Sequence, residues 1–458
     1  MSSVTGSPAP GASPDPRAPA DTAPYPSSGY AWYVVAVLLL AYVLSFVDRE
    51  LLGLLAESIK RDLQLSDTRL SWLMGPAFAV FYTLFGIPIA WLADRSNRRG
   101  IISAGIFVWS WMTAFCGLAS NYWQLFLART GVGIGEAALS PPALSLLRDY
   151  FPKERIGRAI GVYTMGVSVG SGVANIINAA LFPMIIAQGA VSVAFVGTLQ
   201  PWQLLFVIVG LPGVLVALLV LTIREPARRQ RAPATGTSFW HTLRFVWARG
   251  RCYGFMFVGF SAMTVVAYGI GYWIPSFFVR TYGVSPQELS EILIQRGVIL
   301  MVCGVIGVFG GGYLCDVLAR RYPDAPLRVS LGAFVLLGIG FVAFPLMPTA
   351  QLALWCFVPA TLGAAAPTAA GATALVTIAP PHMRAQITAM YYFVLSIIGA
   401  GLGPMFVALF TDYYFQNEAD LRYSLALTAF VACAGGGVLL YYALRPFRRA
   451  AEEARAWS

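Results

Sequence analysis

Charge is scarce in this chain. Asp, Glu, Lys and Arg make up 11% of its 458 residues, while hydrophobic residues make up 58%. Soluble domains carry roughly 25% charged residues, so the deficit excludes an ordinary globular protein and indicates one embedded in a membrane. Histidine is scarcer still: the two present, His241 and His382, fall in loops. No cluster of histidine, cysteine and acids resembles a catalytic or ligand set. That argues against an integral membrane enzyme, and no metal or cofactor is indicated. The six cysteines (Cys116, Cys252, Cys303, Cys315, Cys356 and Cys433) form no C-x-x-C pair and mostly lie in apolar stretches, as small buried hydrophobes do. A basic domain is missing too: the net charge of +10 is spread over short loops, with no surface for a nucleic acid backbone. Residues 1–28, rich in Pro, Ala and Ser, lack an apolar core and read as a disordered tail rather than a signal peptide.

What the chain does have is apolar runs long enough to cross a bilayer, which takes about 20 residues each. They fall at 30–54, 71–93, 100–119, 123–147, 157–182, 201–223, 251–279, 289–315, 327–347, 351–377, 384–411 and 422–444. This predicts an all-α integral membrane fold of twelve transmembrane helices in two six-helix bundles, at 29–223 and 251–445. A polar linker at 224–250, containing REPARRQRAPATGTSF, joins them, and a tail at 446–458 follows. With both termini cytoplasmic, about 23 of the 31 Lys and Arg residues lie on that side and about 6 on the other, leaving Arg49 and Arg129 in the membrane. The uncharged loops at 120–122, 183–200 and 345–351 all fall outside under that orientation.

Ionisable residues inside the apolar runs are the candidates for function. The stretch Leu127–Pro141, LARTGVGIGEAALSP, carries Arg129 and Glu136 on one helical face, roughly 10 Å apart along the axis. Gly131, Gly133 and Gly135 leave bare backbone between them for a neighbouring helix or a ligand. A charge at bilayer depth costs a few kcal/mol or more, so Arg129 and Glu136 read as a functional pair, with an internal strut as the alternative. In the first run, SFVDRELLG (45–53) adds Asp48 and Arg49, while Glu50, one residue and about 100° further on, faces elsewhere. The halves also repeat. AWLADRSNRR (90–99) and GYLCDVLARR (312–321) both read small-x-L-x-D-x-x-x-R-R, in the corresponding loop of each half. Ordinary positive-inside charge explains the arginines but not the matched Asp94 and Asp316. Paired repeats of this kind mark a transporter with parallel halves, and a channel or receptor would not need them.

These features resemble the major facilitator superfamily, whose loop signature runs G-x-x-x-D-R-x-G-R-R. Here Ala90 and Asn97 replace its glycines, while the second copy keeps Gly312. Within the superfamily, SFVDRELLG, RTGVGIGEAALSP (129–141) and YTMGVSVGSGVANI (163–176) resemble the spinster-type transporters of lysolipids and sphingoid phosphates. The Asp-Arg pair and the GEA-x-x-x-P element also resemble the superfamily's organic anion:cation symporters.

The resemblance implies a bacterial inner-membrane transporter, monomeric, working by alternating access with protons as the coupling ion and no other cofactor. Its partners are the bilayer and a lipid-like small molecule, with a small organic anion as the competing cargo. The first and fourth helices line the cavity in that fold, and depth counting places Asp48 at ~26 Å and Arg129 at ~27 Å from the cytoplasmic side. Asp48 and Glu136 are then the proton carriers, with Arg129 and Arg49 as modulators, since desolvation favours a neutral carboxyl and a nearby arginine a charged one. Asp94 would sit against the start of the eleventh helix, near 383–386, with Arg95, Arg98 and Arg99 reaching acids such as Asp149. Asp316, Arg320 and Arg321 would do the same near Gly157, and together they would latch the cytoplasmic side. Substrate-facing candidates in the C-terminal half are the aromatics Tyr268, Tyr272, Trp273, Tyr391 and Tyr392, with Phe393 beside them, opposite Arg129. Arg280, Glu288, Glu291 and Arg296 fall near the outer surface by the same counting, leaving that half without a deep charge. One charged and one apolar half suits an amphiphile. Pro275 and Pro404 should kink the seventh and eleventh helices.

Overall fold

The computed structural model describes residues 25–193, 197–228 and 238–454. Among these, eleven helices are long and apolar enough to cross a membrane: Ser28–Leu54, Asp67–Ala93, Arg98–Cys116, Glu154–Gln188, Pro201–Val220, Gly250–Tyr282, Pro286–Ala319, Ala325–Leu346, Ala350–Ile378, Arg384–Phe415 and Glu418–Ala454. The remaining span, fourth in chain order, is interrupted: Tyr122–Glu136 and Ser140–Tyr150 are separated by a break at 137–139. Twelve spans result, numbered one to twelve along the chain.

The break has a local cause. Pro141 and Pro142 lack the N–H groups that would bond back to Ala137 and Ala138. The chain tightens instead, and Ala138 and Leu139 donate to the carbonyls of Gly135 and Glu136, three residues back, both at 3.1 Å. Glu136 therefore ends the first piece of span four. Spans seven and eleven are distorted in matching places, with π-helical stretches at Val265–Ile270 and Leu395–Gly401 shortly before Pro275 and Pro404. A proline cannot accept the regular turn beneath it, and the widened turn absorbs the misfit. The two distorted stretches meet: a Cβ on Gly269 would lie 2.6 Å from the carbonyl carbon of Gly403.

Spans two, three and four pack together in the N-terminal bundle, and spans seven, nine, ten and twelve in the C-terminal one. Spans five and eight, and spans two and eleven, join the halves. At the first seam Gly172 and Gly297 face each other so closely that a Cβ on either would lie 2.6 Å from the other's carbonyl oxygen. At the second, a Cβ on Gly75 would lie 2.1 Å from the Gly401 carbonyl oxygen.

Three stretches read as irregular in the sequence are ordered. The linker contains a helix, Phe239–Ala248, with Phe239, Trp240 and Trp247 exposed. The loop before span six forms a short antiparallel hairpin, Val191–Val193 with Gly197–Leu199. Span twelve continues to Ala454, through most of the expected tail. Of the expected N-terminal tail, residues 1–24 lie outside the described residues, as do linker residues 229–237 and the last four residues, 455–458.

Candidate functional site

Glycine spacing in span four sets the site. A Cβ on Gly133 would lie 2.6 Å from the Phe78 carbonyl oxygen, so span two is in backbone contact there. Gly135 gives the same intimacy with Trp109 of span three. The two contacts back span four against spans two and three, so that Arg129 and Glu136 lie beside span one. Asp48, Arg129 and Glu136 are 4%, 0% and 1% exposed, as deep as any apolar side chain.

Of the two arginines that the sequence offers as modulators, one takes Glu136. Glu136 is held by Arg49, not by Arg129: its Oε2 accepts from Arg49 Nε at 2.6 Å and from Nη2 at 2.5 Å. Span one interposes Arg49 at the level of Glu136, while Arg129 lies two turns away. Among the described residues Arg129 reaches only the backbone carbonyl of Asp48, at 3.5 Å, and its Nε and Nη2 have no partner. The second carboxylate oxygen of Glu136, Oε1, has none either. The Asp48 side chain faces Arg129, Glu136 and Thr113 of span three. Rings enclose both cations. Phe78 lies 4.7 Å from the Arg49 guanidinium and 5.6 Å from that of Arg129, and Phe46 and Tyr82 flank Arg49 at 5.2 and 5.3 Å. Tyr42 stacks on Tyr163 at 4.9 Å near the same arginine. These rings were not among the sequence candidates, although Tyr42 and Phe46, and Phe78 and Tyr82, are spaced four residues apart on a helical face.

The aromatic candidates divide. Tyr272 is buried in reach of Arg129, Glu50 and Arg49, and Tyr268 lies near Arg49, Glu50 and Tyr82. Trp273 does not face this group: it is fully buried and its indole Nε1 donates to the Pro404 carbonyl at 3.1 Å, fastening span seven to span eleven. Tyr391 packs edge-on against Phe257 and Phe260 at 5.6 and 5.9 Å, inside the C-terminal bundle. Tyr392 touches Tyr391 at 5.2 Å and is largely exposed, and Phe393 beside it is also exposed. Arg296, counted at the outer surface in the sequence, is buried at the seam between halves, where Glu50 faces it.

At the end of the bundle away from the chain termini, an ionic network ties the halves together. Asp67, completely buried, accepts from Arg280 Nη1 and Nη2 at 2.6 and 2.8 Å and from Lys60 at 2.5 Å. Arg280 also meets Glu57 at 2.9 Å, and Lys60 meets Glu418 at 2.8 Å. Asp412 accepts from both the backbone N–H and the hydroxyl of Thr68, at 2.7 Å each. The sequence shows these charges only as loop residues; nothing in it says which half each would face.

The repeated loops sit at the other end. Arg98, buried, pairs with Asp149 of the N-terminal half at 2.5 Å and with Glu225 at the start of the linker at 2.7 Å. Arg99 caps the end of span six through the carbonyls of Leu221 and Ile223. Arg228 closes the loop by donating to the carbonyls of Ala93, Asp94 and Ser96. Asp94, Arg95, Asp316, Arg320 and Arg321 are exposed, and among the described residues none of them bridges the halves. Among the described residues no hydrogen bond or ion pair joins Asp94 to the start of span eleven.

A family model described as Major Facilitator Superfamily matches residues 38–404. The chain belongs to the major facilitator superfamily. Within it, the chain is homologous to the spinster proteins. A solved structure described as a bacterial homolog of the human lysosomal transporter spinster, inward-facing and unoccupied, is 31% identical, with a TM-score of 0.77 over 94% of this chain and 100% of that one. An MFS-type efflux pump of Mycolicibacterium smegmatis is 30% identical over 436 residues, 93% of this chain and 95% of the pump. Human protein spinster homolog 1 is 27% identical, across 90% of this chain and 81% of its own length. As a superfamily member the protein is a multi-pass integral membrane transporter for a small-molecule substrate.

Proposed function

We propose that the protein is a proton-coupled secondary transporter that works by alternating access and carries an amphipathic anionic or zwitterionic lipid, such as a lysophospholipid or sphingosine phosphate. The observation that carries this reading is the state of the two buried groups on span four. Glu136 has one oxygen held by Arg49 and one free, so it accepts a proton without first leaving its partner. Arg129 keeps two donor positions free, so it accepts a headgroup oxygen. Protonating Glu136 weakens its hold on Arg49, and a released Arg49 turns to Asp48 or to the headgroup. Span one then shifts against span four, and that exchange couples proton to cargo. The rings of Phe46, Phe78, Tyr82, Tyr268 and Tyr272 offer the apolar wall that an acyl chain needs.

In this reading the ionic network closes the outer side, both termini are cytoplasmic, and the conformation is inward-facing, like that of the 31% identical spinster homologue. Asp94 and Asp316, with Arg95, Arg320 and Arg321, latch the cytoplasmic side in the opposite state. The protein is a bacterial inner-membrane monomer without a bound cofactor. Residues 29–223 and 251–445 move as the two bodies.

Arg296 favours a second reading, a symporter of small organic anions such as sugar acids or dicarboxylates. A small acid is best held by charges from both halves, and Arg296 gives the C-terminal half a buried cation. Uptake of radiolabelled lysophosphatidylethanolamine and of glucuronate into proteoliposomes separates the two. Saturable lysolipid uptake that glucuronate does not compete is the expected result. Glucuronate uptake without lysolipid uptake selects the second reading.

A further inference from the structure

Span one carries three consecutive ionisable residues, and successive helical residues diverge by about 100°. Asp48 and Arg49 face the N-terminal bundle, and Glu50 faces the seam with the C-terminal one, opposite Arg296 of span eight and Asn175 of span five. Glu50, Asn175, Asn178 and Arg296 line a small cavity there, closed by Gly53 of span one and Pro275 of span seven. Above it the halves touch: a Cβ on Gly53 would lie 2.8 Å from the Tyr272 carbonyl oxygen.

The polar groups of this cavity are incompletely paired. Arg296, 5% exposed, donates from Nη1 to Asn175 Oδ1 at 2.5 Å and lies 5.5 Å over the Phe357 ring, yet among the described residues its Nε has no partner. Asn178, 2% exposed, gives its amide to the Val47 carbonyl at 2.9 Å and leaves Oδ1 without a partner. Buried groups left unpaired are costly, and a guanidinium presents five donors in a fork that matches a carboxylate or phosphate. Arg296 belongs to one half, whereas Glu50 and Asn175 belong to the other. Whatever takes Arg296 away from Asn175 therefore loosens the contact between halves.

We propose that Arg296 is an oxyanion-binding residue whose resting counterion is Glu50. A phosphate or carboxylate of the transported molecule takes the place of Glu50 as the anion facing the guanidinium and draws Arg296 from Asn175, and Asn178 Oδ1 accepts from a hydroxyl or ammonium beside that anion. The displacement frees span one from span eight, so binding at the seam prepares the outer side to open. This rests on the reading of the protein as a carrier of anion-bearing molecules, and it holds for a lipid headgroup and a small acid alike.

Calorimetric titration of the full-length protein in detergent tests it, with lysophosphatidate and glucuronate as probes and a monoacylglycerol as the uncharged control. Glu50→Gln should tighten binding of the anion the protein carries by about tenfold, because the competing carboxylate is gone. Arg296→Gln should weaken it by about tenfold or more, with Arg296→Lys in between. Monoacylglycerol binding should not follow that order. Anion binding indifferent to Glu50→Gln and Arg296→Lys, with only the melting temperature moved, makes the pair a strut and overturns the proposal. Dependence on Arg296 for glucuronate alone keeps the seam site and removes the lipid cargo. Tight lysophosphatidate binding independent of Arg296 keeps the lipid cargo and removes the seam site. Binding of neither anion removes both.

Discussion

Ion pairs cross between the halves at one end of this molecule and do not cross at the other. At the end away from the termini, Arg280 of the C-terminal half holds Asp67 and Glu57 of the N-terminal half, and Lys60 reaches across to Glu418. At the end bearing the termini, Arg98 binds Asp149 and Glu225, and Asp324, fully buried, binds Arg328 at 3.0 Å and Arg448 at 2.7 Å, and none of these pairs joins one half to the other. Cross-half pairs resist separation of the bundles. Pairs within a half make each bundle rigid and leave it free to move. Alternating access requires both, rigid bodies and a contact that breaks reversibly, and here the two requirements are met at opposite ends.

The comparison breaks most sharply at Asp67. Asp67→Asn removes the carboxylate that Lys60 and Arg280 share and leaves two cations facing each other. Breaking a buried pair costs about 3–5 kcal/mol, which is enough to shift the conformational population more than 100-fold towards opening at that end. Spin labels at the far ends of spans two and eleven should then move apart, and unchanged distances would make the network ornamental. Gly75→Ala probes the same closure without touching charge. Its Cβ would meet the Gly401 carbonyl oxygen at 2.1 Å, so spans two and eleven must separate at a cost of about 1–3 kcal/mol. A lower melting temperature and a smaller increase in the same label distance are expected. Asp94→Asn should act least and in the opposite sense. Asp94 is exposed and makes no cross-half contact here, so the present state should change by no more than ~0.5 kcal/mol. The cytoplasmic-closed state, where the latch reading gives Asp94 a partner, should become rarer by accessibility labelling. An unaltered state distribution would remove the latch role.

Much of the fold was legible because a bilayer permits few solutions. Apolar runs of the right length predict twelve helices, and the structure has twelve spans. That Asp48, Arg49, Arg129 and Glu136 are candidates as a group was legible for the converse reason: they stand out in runs that otherwise exclude charge, and the structure buries them close together. Who pairs with whom was not. Arg49, rather than Arg129, holds Glu136 because Gly133 and Gly135 seat span four against spans two and three, and that packing decides what faces span one. Counting residues from a helix end placed Arg296 near the outer surface, whereas the close Gly172–Gly297 approach turns it into the buried seam between halves. Trp273 has the composition of a cavity residue and the position of a strut, fixed by the Pro404 carbonyl of span eleven. The break after Glu136 was written in Pro141 and Pro142, and an uninterrupted apolar run conceals it until the missing N–H groups are counted.

The most direct test of the account is uptake of labelled lysophosphatidylethanolamine into proteoliposomes under an imposed pH gradient, comparing the wild type with Glu136→Gln. Gradient-driven uptake in the wild type, reduced in the variant to the rate seen without a gradient, is the predicted result. Gradient-driven uptake of equal size in both would contradict it and leave Glu136 a structural residue.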